Sequence, residues 1–238
     1  MIRFYAPDIN TTVVLPESDS QHCCRVLRMH EGDELECVDG VGGLYRCRIA
    51  LAHPKHTEIE VIERLELANH WKQTITLAVA PTKHNDRMEW MVEKLTEIGV
   101  DRIVMLKCER SERKEIKADR LRKIAVSAMK QSLKATLPYI DEMVTLPEFV
   151  RSLPRDGQRF VAYCDPEAPE RHLLAREYEP GKDVTLLIGP EGDFSPSEIA
   201  MTLDSGFKAV TLGDTRLRTE TAAIVGCDTF HIIDQATL

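Results

Sequence analysis

No apolar stretch of the 238-residue chain approaches the roughly 18 residues that a membrane-crossing helix needs. The N-terminus, MIRFYAPDIN, lacks the basic-then-apolar layout of a secretory leader. Cysteine occurs seven times but never as C-x-x-C, and the odd count suits neither a disulfide framework nor a zinc ribbon. The eight histidines have no H-x-x-x-H or H-E-x-x-H spacing, so no metal is expected. Phosphate loops are missing too, with no G-x-x-x-x-G-K-[ST] and no G-x-G-x-x-G. These absences argue against a membrane protein, a disulfide-stapled secreted domain, a zinc module and a nucleotide hydrolase. A cytoplasmic protein is expected.

What is present is ordinary in bulk and uneven in detail. The chain is 43% hydrophobic and 29% charged with a net charge of −8, which by itself disfavours nucleic acid. Between Lys107 and Lys134, however, ten Lys/Arg face four Asp/Glu, a local balance of +6. That segment is either a solvated helix face or a phosphate-binding patch, since phosphate contact depends on where cations cluster.

Hydrophobic periodicity divides the chain near residues 68 to 73. Before it, DELECVDG and GLYRCRIA alternate around Gly40-Val41-Gly42-Gly43, and HTEIEVIERLEL continues the period of two. A short helix over DSQHCCRVLRM, capped by Asp19 or Ser20, is expected ahead of them. After Trp71, short apolar runs read as strands of a covered parallel sheet: TITLAVAP (74–81), RIVMLK (102–107), RFVAYCD (159–165), VTLLIG (184–189) and KAVTLG (208–213). Helices are expected from a cap at Asn85 or Asp86 to Gly99, over 118–134, over 196–205 and over 221–231. Strands alternating with helices indicate an α/β domain with a mainly parallel sheet.

Two loops carry chemistry. In LLIGPEGDFSPSEI (186–199), Ser195, Pro196 and Glu198 are explained by helix capping. Gly189, Glu191 and Gly192 are not, and glycines there let backbone groups approach a ligand. Two carboxylates, Glu191 and Asp193, would repel a triphosphate, so a neutral or partly cationic ligand fits better. In TLGDTRLRTETAAIVG (211–226), Arg216 and Arg218 stand beside a helix start, either as an anion grip or as partners of Asp214 and Glu220.

These two blocks, in this order, resemble the signature blocks of the ribosomal RNA small subunit methyltransferase E family, a SPOUT-class group that methylates N3 of a uridine in 16S rRNA. HCCRVLRMHEGDELECVDGVGG (22–43) is similar to its PUA-like RNA-binding domain, and RMEWMVEKLTEIGVDRIVMLKCERS (87–111) to its next block. Departures are Asp193 where the family has a second glycine, Thr215 and Leu217 in the arginine loop, and Lys130 and Lys134 in a block that usually reads glutamate-glutamine-serine with a later arginine.

The resemblance implies a PUA-like β-barrel over residues 1–70 and a SPOUT domain over 71–238 that ends in a trefoil knot. It implies S-adenosylmethionine bound by Leu187, Ile188, Gly189, Glu191, Gly192, Leu212, Gly213, Leu217 and Thr221. Arg218 would face the uracil oxygens or a flanking phosphate, and either Glu220 or Glu191 would accept the N3 proton. Arg25, Arg28, Arg110, Arg113, Lys130 and Lys134 would hold the RNA or the small subunit, and the protein would be a homodimer. Two alternatives stay open: a SPOUT enzyme acting on another base or a ribose, and a non-catalytic rRNA-binding assembly factor.

Overall fold

The computed structural model describes residues 2–154, 156–164 and 172–237. Within it the chain forms two compact units, and they are not contiguous in sequence. The first holds the chain up to His70 together with Val126–Leu137, and the second holds Trp71–Ala125 and the chain from Pro138 on. The segment 126–137, which the sequence groups with the second domain, packs with the first because Met129 and Ala135 close over Val38 and Leu44. Thr136 also bridges to Gly40 and Val41.

In the first unit, β1 (Arg3–Tyr5), β2 (Glu34–Val38), β3 (Gly43–Leu51) and β4 (Glu58–Glu66) form a sheet in that order. Alternation along β2 and β3 turns Leu35, Cys37, Cys47 and Ile49 into a core with Phe4, Leu15 and Ile59. The Cys37 thiol is pushed far up by its hydrogen bond with Cys47 and by burial. The expected helix from Asp19 is shorter than its pattern suggests: α1 (Glu17–Gln21) passes directly into one π turn, His22–Val26. Asp19 and Ser20 do not cap it. Asp19 accepts hydrogen bonds from Tyr5 N (2.9 Å) and Lys130 Nζ (2.6 Å), and Ser20 Oγ accepts from Thr57 N (2.9 Å). The N-cap is Pro16, so both residues lie inside the helix, where their side chains bond neighbouring segments.

The second unit follows with β5 (Ile75–Val79), α2 (Asn85–Ile98), β6 (Arg102–Lys107), α3 (Ala118–Gln131), β7 (Tyr139–Ile140), β8 (Val144–Thr145), α4 (Leu146–Ser152) and β9 (Gln158–Ala162). It ends with β10 (His172–Leu173), α5 (Leu174–Glu177), β11 (Val184–Ile188), α6 (Pro196–Asp204), β12 (Lys208–Thr211) and α7 (Thr219–Ala236). Among the described residues the sheet has eight strands, ordered β10-β12-β9-β11-β5-β6-β7 with β8 also on β6. Every pairing is parallel. The central strands β5 and β11 are buried throughout, which is why their sequences read as unbroken apolar runs. Asp165, at the end of the run expected as β9, lies outside the described residues.

Local chemistry moved several boundaries. The N-cap of α2 is His84 without a side-chain bond, so neither Asn85 nor Asp86 caps it. The preceding turn is held instead by Arg113, which donates to the carbonyls of Thr82 and Lys83. Helix α7 begins at Thr219 rather than 221, since Thr219 Oγ1 donates to Gly189 O (3.1 Å) and fixes the entry. Helix α4, which the sequence reading did not expect, starts at a Thr145-x-x-Glu148 capping box that both partners complete.

Helix α7 packs against α2, β5 and β11 at very close range. A Cβ on Gly226 would lie 2.3 Å from Leu186 Cδ2, and Leu186 is fully buried. In a helix interior, Gly→Ala normally gains up to about 1 kcal/mol. Overpacking a buried contact costs about 1–3 kcal/mol, so the packing term should win. Gly226→Ala is expected to lower the melting temperature by about 2–4 °C in a calorimetric scan. An unchanged or raised melting temperature would show that α7 is not seated this tightly.

Candidate active site

The loops that leave the carboxyl ends of β5, β9, β11 and β12 converge, as ligand-binding loops of open parallel sheets do. The loop after β11 is built from side chains that bond to backbone. Asp193 stands in the left-handed region at φ 60°, where the resembled family has glycine. A short carboxylate tolerates that conformation because it can bond locally, and here Oδ1 accepts from Phe194 N (2.8 Å). Its Oδ2 accepts from Cys164 N (2.8 Å) and ties the loop after β9. Glu191 Oε1 accepts from Lys83 N (3.1 Å) and ties the loop after β5.

Glu198 is buried, and its carboxylate serves two segments. Oε2 accepts from Ser195 N (2.8 Å) to complete the capping box, while Oε1 accepts from Glu109 N (2.8 Å). Arg110 donates to the carbonyls of Gly192 (3.1 Å) and Phe194 (3.2 Å). These contacts give two glycines a reason the sequence did not suggest. A Cβ on Gly189 would meet the Phe194 ring at 3.1 Å, and one on Gly192 would meet Arg110 Cβ at 3.3 Å. Both glycines serve the packing of the loop itself. The loop after β12 differs: Gly213 sits at φ 128° with nothing within 4 Å of a built Cβ, so its backbone conformation is what calls for glycine.

Two adjoining cavities open between these loops. The larger, about 980 Å³, lies between the loop after β12, the loop after β11 and one face of α6. Its wall includes Gly192, Leu212 and Gly213, with Asp193, Asp214 and Arg216 among its charged groups. The smaller, about 350 Å³, is lined by Thr82, Arg87, Ile188, Gly189, Arg218 and Glu220 among others. Glu191, Leu217, Ala222 and the segment Ala162–Cys164 line both, so the cavities share a wall. Of the remaining sequence candidates, Leu187 lies in the hydrophobic core and Thr221 is half-buried beside the lining residue Ala222.

Glu220 is 5% exposed, with Oε1 3.7 Å from Arg87 Nε, and Oε2 has no hydrogen-bond partner among the described residues. Thr82 is 1% exposed, and its hydroxyl is equally unpartnered. A buried polar atom without a partner costs about 1–3 kcal/mol, which makes two in one cavity notable. Arg218 is exposed at the same cavity. Thr82, Arg87 and Cys164 escaped the sequence reading. Arg87 and Thr82 flank the start of α2, far from either signature loop, and only the β5–β11 pairing brings them in.

The basic segment divides by role. Arg25 and Arg28 of the first unit are exposed. Lys130 is paired with buried Asp19, and Arg110 and Arg113 brace loops through backbone carbonyls. Lys134 is half-buried. Arg120 pairs with Glu89 at 2.6 Å, and Arg122 with Asp119 and Glu142 at 2.8 and 2.9 Å. Much of the +6 is therefore committed within the protein.

A sheet with this site belongs to a class that comparison defines: the RNA methyltransferase domain family matches residues 69–231, and the RNA methyltransferase PUA domain family matches residues 15–62. Curated relatives named ribosomal RNA small subunit methyltransferase E include those of Aquifex aeolicus, 31% identical with 89% of this chain and 90% of the relative covered, and Mycobacterium bovis, 30% identical with 92% and 86% covered. The chain belongs to the ribosomal RNA small subunit methyltransferase E family. Among solved structures, a "probable rRNA-methyltransferase" of Porphyromonas gingivalis is 44% identical at a TM-score of 0.96, covering 100% of both chains. A ribosomal RNA small subunit methyltransferase E of Neisseria gonorrhoeae bound to S-adenosyl methionine is 27% identical at a TM-score of 0.86, covering 98% of both.

Cys164 gives an accessible handle on this geometry. It is exposed and lines both cavities, whereas Cys23, Cys37, Cys47, Cys108 and Cys227 are buried and Cys24 is half-buried. Burial pushes the Cys23 thiol up to about 12. Since the thiolate is the reactive form, one fast-reacting thiol per folded chain is expected in a titration with Ellman's reagent, lost in Cys164→Ser. Two or more fast thiols would contradict the described packing.

Proposed function

We propose that this protein methylates N3 of a uridine in 16S rRNA of the small ribosomal subunit, with S-adenosylmethionine held in the larger cavity. The observation that carries the reading is Glu220, a buried carboxylate braced by Arg87 with one oxygen left for an incoming donor. The fit of the cofactor rests on the chemistry of the lining. An apolar floor with Leu212, Leu217 and Val210 suits an adenine ring, and Glu191, Asp193 and Asp214 suit a group that carries positive charge. Gly189, Gly192 and Gly213 belong to the same loops, with Ile188 beside them. The neighbour from Neisseria gonorrhoeae, bound to S-adenosyl methionine, supports the choice.

The cofactor supplies an electrophilic methyl group on a sulfonium. The protein must take the proton from uridine N3 and hold that nitrogen in line. Glu220 Oε2 accepts the N3 proton, while Arg87 keeps the carboxylate oriented through Oε1. Arg218 faces the uracil oxygens, where negative charge collects as the proton leaves, or a flanking phosphate. Because N3 lies on the Watson–Crick edge, the uridine must be unpaired or flipped out. Glu191, the other candidate base, is bonded to Lys83 N and serves the loop. Arg25 and Arg28 are the candidates for holding the surrounding RNA.

The same reading takes the C-terminal segment as a trefoil knot, supported by β12 lying beyond β9 from β11 while α7 returns to bond Gly189. It takes the first unit as a PUA-like barrel, supported by the bridge from Val14 to Glu58. It takes the protein as a homodimer, supported by exposed Trp90 and Ile232 on α2 and α7. Glu220→Gln should bind S-adenosylmethionine with near-wild-type affinity in calorimetry and lose about 10²–10⁴-fold in kcat on unmethylated small subunits. Arg218→Ala should likewise stay folded, by circular dichroism, and lose turnover. Near-wild-type turnover of either variant would overturn its assigned role.

A further inference from the structure

The smaller cavity holds more than one unpartnered group, and their chemistry is complementary to a particular base. Thr82 is 1% exposed, and its hydroxyl has no hydrogen-bond partner among the described residues. The turn that carries it is clamped from one side by Arg113, whose Nε donates to Thr82 O (2.9 Å) and whose Nη2 donates to Lys83 O (2.6 Å). From the other side Glu191 accepts from Lys83 N (3.1 Å). Thr82 and Glu220 line the same cavity, and each carries a buried polar side-chain atom without a partner among the described residues, which suits a ligand that supplies both a donor and an acceptor.

We infer that the smaller cavity is the pocket of the target base, and that Thr82 is a positioning residue that donates a hydrogen bond to one carbonyl of its imide edge. The inference rests on the proposed uridine reading and deepens it. Uracil presents acceptor, donor, acceptor along O4, N3–H and O2. Among the residues that line the cavity, Thr82 has a hydroxyl donor, Glu220 a carboxylate acceptor and Arg218 a guanidinium donor. Cytosine presents a lone pair at N3, which would face the Glu220 carboxylate oxygen and be repelled. The wall shared with the larger cavity brings the two ligands side by side, as methyl transfer requires. When N3 loses its proton to Glu220, charge spreads onto O2 and O4, so the Thr82 hydrogen bond strengthens as the reaction proceeds.

The test compares Thr82→Val, which keeps shape and removes the hydroxyl, with Thr82→Ser, which restores it. With unmethylated small subunits as substrate, Thr82→Val should lower kcat about tenfold with KM nearly unchanged, and Thr82→Ser should recover most of it. The S-adenosylmethionine affinity of Thr82→Val in calorimetry should match the wild type, and its melting temperature should be equal or slightly higher, since the hydroxyl has no partner among the described residues to lose. A Thr82→Val kcat within about twofold of wild type overturns the assignment. So does a parallel loss of cofactor affinity, which would put Thr82 in the cofactor's own site. If wild-type enzyme labels a nucleoside other than a uridine methylated at N3, the imide pairing and the uridine reading fall together. If it labels that uridine while Thr82→Val is normal, only Thr82 falls.

Discussion

The seating of α7 against β11 is the contact on which the carboxyl end of the sheet depends. Gly226 admits Leu186 at a distance no side chain would allow, and Thr219 bonds Gly189 at the mouth of the strand. Together they fix the start of α7 beside the loop that follows β11. Glu220, one residue into the helix, is thereby buried against Arg87 rather than left in solvent. Shift the helix outward and the smaller cavity loses its carboxylate, while the shared wall at Leu217 and Ala222 opens.

Around that contact, acidic groups divide into scaffold and site. Asp193, Glu191 and Glu198 each accept backbone N–H groups and join the loop after β11 to the segments at Cys164, Lys83 and Glu109. A carboxylate that accepts backbone N–H bonds is held in its ionised form and makes a poorer proton acceptor. Glu220 has an ion-pair partner on one oxygen and none among the described residues on the other. The difference in bonding, rather than sequence motif, separates the candidate base from its neighbours. Positive charge divides the same way: Arg110 and Arg113 brace carbonyls, whereas Arg218 lines the cavity, exposed and without a side-chain partner among the described residues.

The sequence was most legible where one strand or one helix end decides the outcome. Unbroken runs such as VTLLI announced buried parallel strands, and Ser195-x-x-Glu198 announced α6. It was least legible where distant groups compete for the same side chain. Asp19, a natural cap on paper, is claimed by Tyr5 and Lys130 from 14 and 111 residues away. The role of Arg113 could not be seen without the turn at Thr82 and Lys83, 30 residues upstream. Asp193 looked like a departure in need of excuse. Its left-handed backbone and its bond to Cys164 show that the carboxylate does what glycine permits and adds a tie that glycine lacks. Thr82 carried no motif at all, and only its burial without a partner draws attention to it.

The central claim is that the two adjoining cavities bring a methyl donor and the N3 edge of a uridine together. Incubating the protein with methyl-labelled S-adenosylmethionine and unmethylated small ribosomal subunits, then digesting the RNA to nucleosides, tests it directly. The account predicts that the label elutes as 3-methyluridine. Label in any other nucleoside, or none from a protein that binds the cofactor, would contradict it.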